Sequence, residues 1–256
     1  MRFVSWLLAG LLTIAVTVVV FFPASWVAAI VEDRTDGRIV LGNAQGTLWK
    51  GSATVGAAAG RNDPAGQLLP GRFAWRLSPM VLLGRVDAQV ENATALLQPV
   101  RVNGNWSQWR VSPSSIDMPA ERLATLGAPL NTLQPSGQMR LAWETLQIER
   151  AGNTANVTGT MTLTMTDIAS RLSPIRPLGN YRLAFDWLGQ QAKVVLDTQS
   201  GPLQLAGNGA IVNGRLQFSG TAEAAQGYEQ QLANLLNLLG QRRRIGGKDV
   251  IALEFK

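Results

Sequence analysis

Alternation of apolar and polar residues is the feature that most restricts how this 256-residue chain can fold. The clearest example runs from Thr160 to Met165, where threonine alternates with methionine or leucine. A period of two residues places the apolar side chains on one face of a strand. The sequence therefore predicts a mainly β fold, built from antiparallel sheet with one face in water. Further alternating segments occur at 72–77, 86–90, 138–144, 181–187, 203–205, 215–219 and 251–255.

Few segments have the spacing of a helix. The best candidate lies near 229–239, where leucines recur on one side of a helix and predict packing against a sheet. Shorter helices are predicted over 119–126 and over 167–172, the second with Asp167 as its N-cap. The leucines of the longest candidate are Leu232, Leu235, Leu236 and Leu239.

A long uncharged segment opens the sequence. A helix over residues 3–22 would be about 30 Å long, which is enough to cross the hydrocarbon core of a bilayer. Pro23 follows this helix, and Trp6 and Trp26 flank it as interfacial aromatic residues do. We therefore expect residues 1–31 to form an N-terminal transmembrane anchor. The anchor side chains are Phe3, Trp6, Leu7, Leu8, Leu11, Leu12, Ile14, Val18, Phe21 and Phe22.

A cleavable signal peptide is the alternative for this segment. The small residues at 27–29 could form a cleavage site, but the apolar run exceeds the usual 7–15 residues of a signal peptide. Arg2 favours an N-terminus on the inner side, whereas Arg34 and Arg38 just beyond the span weaken that assignment. The sequence contains no further span, so the remaining residues are expected on one side of the membrane.

A short repeat divides the rest of the chain. The sequence Arg-Leu-Ser-Pro occurs at 76–79 and again at 171–174, and Leu-Gly follows each copy at the same distance. We interpret the copies as markers of two related antiparallel β-sheet units, although Ser-Pro and Leu-Gly are also common in loops. The first unit would cover residues 32–130 and the second residues 131–256.

The composition argues against most enzyme classes. The chain has no cysteine and no histidine, which excludes disulfides, Cys/His zinc sites and Ser-His-Asp triads. No phosphate-binding or dinucleotide-binding motif occurs, so we expect no catalytic residue, no cofactor and no metal site. The net charge of +6 is scattered rather than gathered in a basic stripe, so nucleic acid is not an expected partner.

Several segments, together with their order along the chain, resemble the type II secretion system protein N family. The two most specific are residues 170–182 and residues 200–205. The leucine-rich segment before the arginine run also looks like the end of that family. The other segments are residues 46–51 (GTLWKG), 75–79 (WRLSP) and 135–137 (PSG).

The resemblance implies a non-enzymatic protein of the Gram-negative inner membrane, a single-pass protein whose C-terminal domain lies in the periplasm. It would serve as an accessory scaffold that docks other secretion subunits during export of folded exoproteins. The candidate partner contacts are Trp106 and Trp109 in an expected loop and Arg242, Arg243 and Arg244 in another. The alternative function is periplasmic lipid binding or lipid transfer, which strands apolar on both faces would favour; most strands here have one polar face.

Overall fold

The computed structural model describes residues 2–128, 130–152, 154–245 and 248–255. Within these ranges, the side chains of residues 2–5, 8, 241, 244, 245, 248, 249 and 255 are outside the description. In the described part of the chain, the seventeen strands form one antiparallel sheet. The mainly β prediction is therefore confirmed.

The strands follow one another closely along the chain. They are β1 (Ile39–Gly46), β2 (Lys50–Ala57), β3 (Gly66–Gln67), β4 (Phe73–Leu77), β5 (Arg85–Glu91), β6 (Val100–Asn105), β7 (Gln108–Val111), β8 (Ser114–Pro119), β9 (Pro135–Trp143), β10 (Leu146–Ala151), β11 (Thr154–Ser170), β12 (Gly179–Gly189), β13 (Gln191–Ser200), β14 (Leu203–Val212), β15 (Arg215–Ala224), β16 (Gln241–Ile245) and β17 (Lys248–Phe255).

The helices are short apart from the first. The α-helices are α1 (Arg2–Val20), α2 (Ala24–Arg34), α3 (Leu130–Leu133) and α4 (Glu229–Leu239), and the 3₁₀ helices are η1 (Pro79–Leu83) and η2 (Ala120–Leu126). The prediction of α4 is confirmed residue for residue, and the helix expected over 119–126 is present as η2. Among the described residues, no helix is long and apolar enough to cross a membrane. The predicted transmembrane span over residues 3–22 is not confirmed.

Neighbouring strands in the sheet are mostly neighbours in sequence. The order from one end is β1, β2, β4, β5, β6, β7, β10, β11, β12, β13, β14, β15, β17 and β16. The hairpin partners β8 and β9 extend the lines of β7 and β10, because β9 pairs with the second half of β11. Within the described residues, β1 and β16 end this order, while the short β3 pairs with β2 alone and β8 with β9 alone.

Strand pairing crosses the expected boundary between the two units, because β8 pairs with β9 and β7 with β10. The division into two related units at residue 130 stays a prediction. The helix expected over 167–172 was wrong: it is absent from this described segment, because β11 continues to Ser170. Asp167 has φ of +52° and sits in a β-bulge between Thr166 and Ala169.

One face of the sheet is apolar across many strands. Leu141, Leu163, Leu183 and Leu196 stand directly opposite one another on β9, β11, β12 and β13. All four leucines are half-buried. Thr162 and Thr164, which flank Leu163 on β11, point to the other face. That polar face is in contact with solvent, as the alternation predicts.

Helix α4 covers the part of this apolar face that the C-terminal strands form. Leu232 and Leu235 are fully buried there, where they pack with Leu178 of the loop before β12 and Leu203 of β14. The position of α4 confirms the prediction that its leucine stripe packs on the sheet. Helical spacing brings these leucines to one side, and burial of the stripe is the main source of stability for so short a helix.

A phenylalanine of the core near α4 also packs over backbone. Phe218 of β15 is buried, and its ring lies beside Gly207 and Gly209 of β14 and Gly220 of β15. A Cβ added at Gly207 would stand 2.4 Å from Cζ of this ring and 2.8 Å from Cα of Gly220. The glycines are therefore required by the close approach of the ring.

Candidate interaction surfaces

Helix α1 exposes large apolar side chains on every side. Trp6 is 78% exposed, and Leu11 and Leu12 are each 66% exposed. Leu7, Ile14, Val18 and Phe21 are exposed as well, whereas Phe22 is half-buried against the ring of Trp26. The side chains of Phe3 and Leu8 lie outside the described residues. A helix that is apolar all round is normally covered, either by protein or by lipid.

Trp49 holds the end of α1 against the sheet. Its indole nitrogen donates a hydrogen bond of 2.8 Å to the carbonyl oxygen of Val19. The backbone N–H of Leu48 donates one of 2.8 Å to the carbonyl oxygen of Phe22. These two bonds place the end of α1 beside the turn that joins β1 and β2. We define the α1 rim as the strand ends at this side of the sheet, with the turns at 47–49, 78–84 and 106–107.

Trp106 lies on the α1 rim, in the turn between β6 and β7. Its side chain is 57% exposed, and its indole nitrogen donates a hydrogen bond of 2.6 Å to the carbonyl oxygen of Val81 in η1. Trp109 lies inside β7 rather than in the expected loop, because it pairs with Gly104 and Ile148 on the apolar face. Trp109 is half-buried.

The arginine run forms the terminal strand β16 rather than a loop. Arg242 pairs with Ile251 and Arg243 with Val250 of β17. Both arginine side chains are exposed, and Nη1 of Arg243 lies 2.7 Å from Oε1 of Glu254. The side chain of Arg244 lies outside the described residues.

The family of the chain follows from comparison with known proteins. The family model described as type II secretion system protein N matches residues 37–250. The chain belongs to this family. No curated protein and no solved structure matches the chain. The resemblance stated from the sequence is thus confirmed over most of the chain, from the start of the sheet to β17.

Membership of the protein N family places the chain among the accessory components of the type II secretion system. The family is a structural or accessory class and is not known to contain enzymes. Other secretion subunits are therefore reasonable partners, and association with the cell envelope follows from the family.

The titratable groups with shifted pKa values serve the fold of this family member. The guanidinium of Arg140 donates hydrogen bonds of 2.6 and 2.9 Å to the carboxylate of Asp117, and this pairing lowers the pKa of Asp117. Burial raises the pKa of Tyr181, whose hydroxyl donates to the carbonyl oxygen of Leu203 at 3.0 Å. In the described part of the chain, no three acidic residues gather as a metal site would require.

One surface was missed by the sequence reasoning. Helix η1 carries Met80, Leu82 and Leu83, which are 53%, 56% and 81% exposed. The signal was an apolar run of residues 79–83 between a Ser-Pro turn and Gly84, which is too short for a helix that packs on a sheet. Only the structure shows that this run lies beside Trp106 and is uncovered.

Proposed function

We propose that this protein is a non-enzymatic scaffold of the type II secretion apparatus, held at the inner membrane by α1 with its sheet in the periplasm. The observation that carries the proposal is the joint between α1 and the sheet. Trp49 fixes an exposed apolar helix to a β body that belongs to the protein N family. Such a joint would keep the sheet at a set distance from the bilayer and raise its effective concentration near other subunits.

The exposure of α1 supports the membrane part of the proposal. Successive residues of a helix are turned by about 100°, so Leu11, Leu12 and Ile14 face different directions. All three are more than 60% exposed in the isolated chain, at 66%, 66% and 63%. Leaving such side chains in water costs on the order of 1.5–3 kcal/mol each relative to an apolar environment. Lipid would remove this cost on every side of the helix at once.

Strand β16 supports the docking part of the proposal. It pairs with β17 on one side and is the terminal strand of the described sheet on the other. A terminal strand can take a strand of another chain by main-chain hydrogen bonding. Arg242 and Arg243 are exposed along it and would favour an acidic partner segment. Helix α2 contacts β1 at the opposite end of the sheet.

The docking proposal can be tested in a bacterium that carries the secretion system. A photo-cross-linking amino acid at Arg242 is expected to capture another subunit of the apparatus. The same group at Arg110 is the control, because Arg110 is exposed and pairs with uncharged residues in the middle of the sheet. Equal capture at both positions, or capture at Arg110 alone, would refute docking at β16.

Secretion itself gives a second readout. Reversing the charge of Arg242 should reduce export of a reporter exoprotein, because an acidic partner segment would then be repelled. Reversal at Arg110 should leave export unchanged. Normal export in the Arg242 variant would show that this charge of β16 is not used.

A second candidate function is lipid binding on the apolar face. The observation that favours it is the row of half-buried leucines across β9, β11, β12 and β13, which continues beyond the area that α4 covers. An acyl chain could lie along such a row. Mass spectrometry of lipid retained by the full chain, purified in detergent, decides between the candidates. Stoichiometric phospholipid that Leu163→Arg abolishes would favour lipid handling.

A further inference from the structure

An exposed apolar patch lies on the α1 rim, and the scaffold function as described does not use it. Its members are Met80, Leu82 and Leu83 of η1 and Trp106 of the neighbouring turn, all more than half exposed. The hydrogen bond from Trp106 to the carbonyl oxygen of Val81 joins the two turns into one surface. We call this surface the rim patch. Large apolar side chains gathered in this way mark a contact with protein or membrane.

A chain of short contacts connects the rim patch to α1. The backbone N–H of Leu77, the last residue of β4, donates to the carbonyl oxygen of Trp49 at 2.8 Å. The indole of the same Trp49 bonds the carbonyl oxygen of Val19 in α1. Helix η1 begins two residues after Leu77, so the patch and the end of α1 lie on the same side of the sheet. The rim patch therefore lies at the rim where α1 meets the sheet.

Three exposed basic side chains lie along the α1 rim. Arg85 lies two residues after the end of η1, at the start of β5, and Lys50 lies at the start of β2. The backbone N–H of Arg150 donates to the carbonyl oxygen of Ser107 at 2.7 Å, which brings a third exposed cation to this rim. Cations beside apolar and indole side chains suit the headgroup region of an anionic bilayer.

We propose that the rim patch is a second membrane contact, in which η1 and Trp106 rest in the headgroup region of the bilayer that α1 enters. The inference rests on the proposed membrane attachment of α1 and adds an orientation. The strands would stand with the α1 rim toward the lipid and the opposite rim, which carries α4, η2 and the loop at 92–99, away from it. Helix α1 alone would fix only the distance of the sheet from the bilayer. Helix α1 and the rim patch together would also fix the tilt of the sheet relative to the bilayer.

The absence of cysteine from the sequence makes a direct test simple. Single variants Leu83→Cys and Leu97→Cys carry a fluorophore in the full chain, reconstituted in vesicles of phosphatidylethanolamine and phosphatidylglycerol. The two leucines are a matched pair, since they are 81% and 74% exposed and lie at opposite rims. Nitroxide groups on the acyl chains then quench only labels in contact with lipid. A third label at Leu12→Cys reports the entry of α1.

The expected result is strong quenching at positions 12 and 83 and none at position 97. Quenching at 12 without quenching at 83 would overturn the rim contact and leave the anchor in place. Equal quenching at 83 and 97 would also overturn it, because the sheet would then have no fixed orientation. If no label is quenched, the anchor proposal fails together with the inference.

A polar version of the patch provides an independent check. Leu82→Ser and Leu83→Ser are substitutions of exposed side chains, so the sheet should fold normally. A label at Ser107→Cys, next to Trp106 in the same exposed turn, should lose most of its quenching in this background, while the label at position 12 keeps its own. Unchanged quenching at 107 would show that η1 does not hold the rim at the bilayer.

Discussion

Replacing Leu232 by alanine is the sharpest test of how α4 is held on the sheet. Leu232 is fully buried, with an exposed fraction of 0%, between Leu178, Leu203 and Leu235. Leu238 lies on the same helix and is 63% exposed, so Leu238→Ala provides a matched control. Both substitutions are leucine to alanine in α4, so the change in helix propensity is shared and cancels in the comparison.

The two variants are expected to differ clearly in the free energy of unfolding. A buried leucine cut to alanine costs about 2–5 kcal/mol, because transfer energy is lost and a cavity remains. An exposed position away from special contacts changes stability by roughly 0.5 kcal/mol or less. Leu232→Ala should therefore be less stable than Leu238→Ala by at least about 1.5 kcal/mol.

Urea denaturation of the full chain in detergent, followed by circular dichroism, measures the difference. The slope of the free energy against urea should stay unchanged, so that the shift of the midpoint reports stability alone. Equal midpoints for the two variants would refute the packing of α4 described above. Hydrogen exchange of β14 should increase in Leu232→Ala if α4 stabilises that end of the sheet.

Three further predictions follow from the packing and the pKa shifts. Gly207→Ala should lower the free energy of unfolding by about 1–3 kcal/mol in urea denaturation, since the added Cβ meets Phe218 and backbone. Asp117→Asn should cost up to about 1 kcal/mol at neutral pH, because the ion pair with Arg140 is largely exposed. That difference should vanish in pH-dependent unfolding as the pH falls through the lowered pKa of Asp117. Tyr181→Phe should cost about 1 kcal/mol in thermal or urea unfolding through its lost hydrogen bond.

Each of these predictions has a contrary outcome. Gly207→Ala should be compared with Asn208→Ala, which points to the polar face, and equal costs would refute the ring contact. For Asp117, the pKa is depressed in the folded protein, so its stabilisation is fully present above the ordinary pKa and is lost as the pH falls through the lowered pKa of the folded protein. If the Asp117→Asn variant stayed less stable than the unchanged protein in strong acid, the loss of stability would not come from the ion pair with Arg140. A fully stable Tyr181→Phe would mean that its hydroxyl contributes nothing.

Local patterns predicted the elements well. Strict alternation identified β11 around Thr160 to Met165, and four leucines at helical spacing identified α4 to the residue. These features depend on the side chains of one segment and on the face they bury. The bulge at Asp167 was missed because polar residues at this point also suit a helix N-cap, and the pairing with β9 decided between them.

The arrangement of strands could not be read from local pattern. The pairing of β7 with β10 joins the two expected units, and it depends on partners about forty residues apart in sequence. The arginine run at 242–244 was placed in a loop because charge suggested solvent. A strand at the end of a sheet also exposes charged side chains to solvent. The Gly246–Gly247 dipeptide that follows the run is a hairpin signal. The rim patch was missed because exposure is a property of the assembled sheet.

The sequence order of the strands has a consequence for how the chain is made. Among the described residues, the most distant partners in neighbouring strands are Gln108 and Glu149, which are 41 residues apart. A chain that emerges N-terminus first, from a ribosome or through a translocation channel, can therefore build most of the sheet without waiting for its C-terminus. Folding would proceed from β1 toward β17, with β8 waiting for β9 and β16 for β17, the partners that follow them in sequence.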